Sequence, residues 1–135
     1  MTATPSPAGS PGAELSCRIE TTRAYAALTN DYNPLHVDAD FAATTPFGVP
    51  IAHGTMALNL LLAAIERSLD PGLRIGDVQV RFVAPTPLPN RLTASAVPAA
   101  GGDGTYDVAV ARDDGTLVLT GTVTLVQRRP MGERA

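Results

Sequence analysis

The chain has 135 residues, 44% of them apolar and 17% charged, with a net charge of −3. That length suits one domain with one core, and the acidic balance argues against a general nucleic-acid surface, which needs clustered cations. All 10 basic residues are arginines, so neither a Schiff-base lysine nor a Walker-type phosphate loop is available. Cys17 is the one cysteine, which excludes an internal disulfide and a multi-cysteine zinc site and leaves a small buried hydrophobe as its expected role.

Residues 1–13 are rich in Pro, Ala, Gly, Ser and Thr and read as a disordered leader; they have no basic or apolar segment of the signal-peptide kind. A single domain is expected over residues 14–128, followed by a flexible tail over 129–135. Residues 15–20 suit a first strand, with Leu15, Cys17 and Ile19 on one face. Thr21 or Thr22 can cap a short helix that runs to about Thr29, with Tyr25 and Leu28 at helical spacing. Pro34 disfavours the α conformation at Asn33, so this helix must end before it. Asp38 offers a cap for a second short helix from Ala39 to about Thr44, after which Pro46, Gly48 and Pro50 keep the chain irregular.

Residues 55–69 read as a helix ended by Asp70-Pro71-Gly72. Its first ten residues are apolar nearly all round, Thr55 and Asn59 excepted, so it is expected to be covered on most sides. The run from Met56 to Ile65 is too short to span a membrane; a soluble, cytoplasmic protein with no membrane partner is expected. Beyond it the pattern is β. Val78, Val80 and Phe82 form one face, Leu92, Ala94 and Ala96 another, and Tyr106, Val108 and Val110 a third. Leu117, Leu119, Val123 and Leu125 form a fourth, interrupted by Gly121. Asp113-Asp114-Gly115 makes a hairpin turn between the last two. A buried helix followed by an antiparallel meander implies an α+β hotdog fold, a sheet wrapped around one central helix.

The two histidines fall in one region: Asp31-Tyr32-Asn33-Pro34-Leu35-His36, and then Ala52-His53-Gly54 just ahead of the apolar helix. Asp31 and His36 would not share a face of a continuous helix, but the break at Asn33-Pro34 lets a turn fold them toward one point. A carboxylate beside an imidazole can polarise a water at neutral pH. On spacing alone the plainer reading is favoured, an Asn-Pro turn in which His36 only packs. Gly54 at the start of a buried helix presents a free N–H reinforced by the helix dipole, suited to a developing oxyanion. His53 is read as a structural hydrogen-bonder. A zinc site drawn from Asp31, His36 and His53 fits no established ligand spacing, and no metal is expected.

Residues 25–38, Phe41-Ala42, Ile51-Ala52-His53-Gly54 and the later Val80-Arg81-Phe82-Val83-Ala84-Pro85 together resemble the signature of the MaoC-like (R)-specific enoyl-CoA hydratases and 3-hydroxyacyl-thioester dehydratases. The likeness covers roughly residues 15–127 in order, and its most specific part is the Asp-x-Asn-Pro-x-His core. It implies a hotdog fold acting on acyl thioesters, with Asp31 and His36 activating the water that adds to a trans-2-enoyl double bond. It implies that the Gly54 N–H receives the thioester oxygen and that Asn33 orients the turn. No cofactor is implied beyond the coenzyme A or phosphopantetheine of the substrate. A homodimer is expected, and a heterodimer with another hotdog chain is the other arrangement. Where the family often has glycine before the aspartate, this chain has Asn30, which tolerates a left-handed backbone. Where its hydratases can carry a serine on the central helix, this chain has Asn59 and then Leu60 to Leu62. Two rival functions share the fold: a non-catalytic acyl-thioester-binding partner subunit, and a thioesterase.

Overall fold

The computed structural model describes residues 13–129. Most of the expected leader and tail lies outside them. Ala13 does not behave as leader: it is buried, and its carbonyl accepts from the Ala94 N–H. The elements run β1 (Glu14–Cys17), α1 (Ile19–Thr29), α2 (Pro34–Val37), α3 (Ala39–Ala42), α4 (Gly54–Ser68), β2 (Leu73–Phe82), β3 (Asn90–Pro98), β4 (Thr105–Ala111) and β5 (Leu117–Gln127). The strands form one antiparallel sheet in the order β1-β3-β4-β5-β2, and α4 packs across β2, β3, β4 and β5. This is the α+β hotdog arrangement expected from the sequence.

The expected faces explain the core. Leu92, Ala94 and Ala96 of β3, Tyr106, Val108 and Val110 of β4, and Leu119, Val123 and Leu125 of β5 are all buried against Met56, Leu60, Leu61 and Ile65 of α4. Two expected members fall outside it: Leu117 and Phe82, at strand ends, are exposed. Gly121 marks a close backbone approach, because a Cβ there would collide with the Gln79 carbonyl oxygen. Cys17 is fully buried, and burial pushes its thiol up to about 11, so it is an inert packing residue. In the hairpin turn the Arg112 guanidinium forks onto Asp114, at 2.9 and 3.3 Å, and holds that exposed carboxyl well below the usual range.

The elements ahead of α4 differ from expectation in detail. β1 ends at Cys17 and not near residue 20, because α1 already begins at Ile19. Thr21 does serve α1, but from its third position: its hydroxyl accepts from the Arg18 N–H at 3.1 Å. The Asn33-Pro34 turn opens an additional short helix, α2, with Asn33 accepting from the Leu35 N–H at 3.0 Å and Pro34 at the first position. Among the described residues no helix is long and apolar enough to cross a membrane.

Candidate active site

The site is assembled from two segments, residues 30–36 and 50–54. Asn30 ends α1 in the left-handed conformation, φ 57°, as expected for an asparagine standing in for glycine. The reversal is closed by the Asp31 N–H donating to the Ala26 carbonyl, and it leaves the Asp31 side chain exposed beyond the helix end. The Asp31 carboxylate accepts from the Asn33 N–H at 3.3 Å, and Asn33 in turn starts α2, which carries His36.

Ile51 ties the two segments together. Its N–H donates to the Leu35 carbonyl at 3.1 Å, and its carbonyl accepts from His36 Nδ1 at 2.8 Å. A carbonyl can only accept, so the proton of a neutral His36 sits on Nδ1 and the Nε2 lone pair is left free. The flanking residues are held from the other side: the Ala52 N–H donates to the Thr86 carbonyl and the Leu88 N–H to the Pro50 carbonyl, both at 2.9 Å.

His53 then occupies the space behind both catalytic candidates. It is buried, its Nε2–H donates to the Asp31 carbonyl at 3.0 Å, and its ring stacks on that of His36 with centroids 4.0 Å apart. The opposite tautomer therefore holds at His53, whose Nδ1 is buried without a protein partner. Asp31, His36 and His53 each place a ligating atom within 4.8 Å of the others. They are the one group among the described residues from which a cation could be held.

Gly54 is the first residue of α4 and is exposed, so its N–H has no intrahelical acceptor. A methyl added there would meet the Phe82 ring at 3.7 Å, ordinary contact, and the backbone is helical. Substitution at Gly54 is thus free of the turn strain that a glycine in a left-handed turn would impose.

Asn59 is not with this group. It donates instead to the Tyr25 hydroxyl at 2.7 Å, which also lies 2.7 Å from the Thr55 hydroxyl. Tyr25 and Thr55 are site neighbours that the sequence reading did not single out. The available signal was the pair of polar exceptions, Thr55 and Asn59, four residues apart on one side of an otherwise apolar helix.

The chain as a whole is similar to known proteins. The family model for the MaoC like domain matches residues 5–118. Over 49 residues the chain is 49% identical to an (R)-specific enoyl-CoA hydratase of Aeromonas caviae, covering 36% of this chain and 36% of that protein. Over 86 residues it is 35% identical to 3-hydroxyacyl-thioester dehydratase Z of Mycobacterium tuberculosis, covering 57% of this chain and 54% of that protein. The matched stretches thus span about half or less of these relatives' own lengths. Among solved structures, the (R)-hydratase from A. caviae involved in PHA biosynthesis superposes with a TM-score of 0.70 at 29% identity. That superposition covers 83% of this chain and 90% of the other.

The hydrogen bonds predict an NMR result. At a pH where both rings are neutral, long-range proton–nitrogen spectra should show one histidine as the Nδ1–H tautomer and the other as Nε2–H. Replacing His53 with Phe should remove the Nε2–H set. Two identical tautomers would contradict the arrangement around Ile51 and Asp31.

Proposed function

The chain belongs to the MaoC-like domain family, and on that premise we propose that it is a hydro-lyase. In this reading it hydrates trans-2-enoyl thioesters, or in reverse dehydrates (R)-3-hydroxyacyl thioesters, carried by coenzyme A or an acyl carrier protein. The observation that supports the reading is the closeness of the Asp31 carboxylate to the His36 ring, ligating atoms within 4.8 Å, with the ring's Nε2 left unprotonated by the bond to Ile51. Two acceptors at one point can hold both hydrogens of a water and leave an oxygen lone pair directed at the β-carbon. As the C–O bond forms, one of the pair takes the water proton, the alkene electrons move toward the thioester, and negative charge gathers on its oxygen. The Gly54 N–H, at the positive end of α4, stabilises that oxygen. The proton is then delivered to the α-carbon, and water has added across the double bond. Asn33 and His53 support the pair without touching the reacting atoms. The step as drawn uses no metal or redox cofactor; coenzyme A or phosphopantetheine enters as part of the substrate.

The assembly proposed is a homodimer. Phe82, beside Gly54, and Val83 are exposed, Leu58 and Leu62 on α4 are only half-buried, and β2 is an edge strand. Such features favour a covering partner. Sedimentation equilibrium should return a dimer. Activity that appears only after a different hotdog chain is added would replace it by a heterodimer, and an active monomer would overturn both.

The activity test is crotonyl-CoA hydration, followed as loss of enoyl absorbance with free thiol monitored in parallel. Absorbance should fall without thiol release, which separates hydration from thioester hydrolysis. Asp31→Asn and His36→Ala should each lower kcat by about 10²-fold or more. Their combination should be little worse than the worse single change, as for groups that act on one water. Near-wild-type turnover in folded His36→Ala would falsify the assignment.

Gly54→Ala gives a separate check on the oxyanion donor. Because the added methyl meets only ordinary contact at Phe82, the variant should keep its melting temperature. Its kcat should fall while affinity for a saturated acyl-CoA changes less, since the donor matters most as charge develops. Unchanged kcat would remove Gly54 from the mechanism.

A further inference from the structure

Helix α1 packs on β1 and α2, and a groove of about 470 Å³ parts it from α4 along Ala24, Leu28, Leu60 and Ala63. Tyr25 crosses that gap. Its ring is tilted against the His53 ring, with centroids 4.9 Å apart, and its hydroxyl lies 2.7 Å from Thr55 Oγ1 and 2.7 Å from Asn59 Nδ2. The Asn59 amide nitrogen can only donate, so the phenol oxygen accepts from it and its own O–H is available to Thr55. A phenylalanine would fill the same volume. The hydroxyl adds a bridge from α1 to the first two turns of α4.

That bridge joins two sets of groups that the proposed reaction must hold at a fixed separation. On one side, the Tyr25 ring supports His53, which holds the Asp31 backbone and stacks on His36. On the other, Thr55 follows Gly54, whose N–H is the oxyanion donor in that reading. Water attacks the β-carbon while charge develops on the thioester oxygen, so both must be in place in one transition state. Misplacement of reacting groups by about 1 Å can cost about 10²-fold in rate.

We propose, resting on the hydratase reading, that Tyr25 is a positioning residue whose hydroxyl, through Thr55 and Asn59, sets the distance between the water-activating pair and the N-terminus of α4. It touches no substrate in this proposal. Its loss is therefore expected to alter kcat and not binding.

The test compares wild type, Tyr25→Phe, Asn59→Ala and the double variant on short- and medium-chain trans-2-enoyl-CoAs. Tyr25→Phe should lower kcat about tenfold and leave KM, and inhibition by butyryl-CoA, within about twofold. Asn59→Ala should lower kcat in the same sense. The double variant should be no worse than about twofold below the worse single one, because both remove the same bridge. A purely structural hydroxyl would lower the denaturation midpoint and leave kcat at low temperature intact. Tyr25→Phe with wild-type kcat overturns the proposal, and so do single effects that multiply in the double variant. A wild-type protein that hydrates none of these substrates overturns the hydratase reading itself, whereas an active wild type with an equally active Tyr25→Phe sinks the role of Tyr25 alone.

Discussion

His53 is 3% exposed, and its ring meets two demands at once: Nε2–H donates to the Asp31 carbonyl, and one face lies against His36. Asp31 follows α1 and His36 belongs to α2, two short elements with little core of their own; no residue of α2 is buried. Held only by their own helices, the carboxylate and imidazole would sample many separations. A buried ring placed at the start of the best-packed helix gives both a common reference. The main-chain bond fixes where α1 ends, and the stack fixes the plane of the His36 ring, while the bond to Ile51 fixes its tautomer.

That reference is only as good as the position of residues 50–54, and the sheet supplies it. The segment lies against the loop between β2 and β3, bridged at Ile51 and Pro87 and bonded through Ala52 to Thr86 and Leu88 to Pro50. The loop in turn continues β2, which is paired along its length with β5. A continuous path of backbone hydrogen bonds therefore runs from the sheet to the site, with each net bond worth about 0.5–1.5 kcal/mol. The exposed residues of the site rest on elements that the core holds, which is how side chains on loops acquire fixed geometry.

Much of this could be read in the sequence. Alternation over the last fifty or so residues, counted roughly, gives the strands because side chains of a strand alternate sides, and the all-round apolar pattern of residues 55–69 marks the central helix. The Asn30 left-handed turn and the Asp38 cap, which accepts from the Asp40 and Phe41 N–H groups, follow from local chemistry alone. What local chemistry could not give was which partners meet across long stretches of chain. Ile51 is an aliphatic residue that matters here only through its backbone. Tyr25 reads as one more apolar helix position until the fold brings Thr55 and Asn59 to its hydroxyl. The extension of the strand pattern into Ile19 failed for a related reason: Ile19 faces the core equally well as the first residue of a helix.

The central helix shows how one apolar pattern can satisfy several surfaces. The sheet buries a single stripe, Met56, Ala57, Leu60, Leu61, Ala64 and Ile65. That stripe accounts for the fold, since burying a leucine or isoleucine fully is worth roughly 1.5–3 kcal/mol. Leu58 and Leu62 lie off it and stay half-buried, and Ala63 is exposed toward the groove beside α1. A helix needing only to fill this sheet would carry polar residues at those positions. The two polar residues it does carry in its first ten, Thr55 and Asn59, both meet Tyr25. The polarity in the first turns of α4 is thus placed where α1 must be held across a gap, and its surplus apolar surface is placed where the described residues supply no full cover.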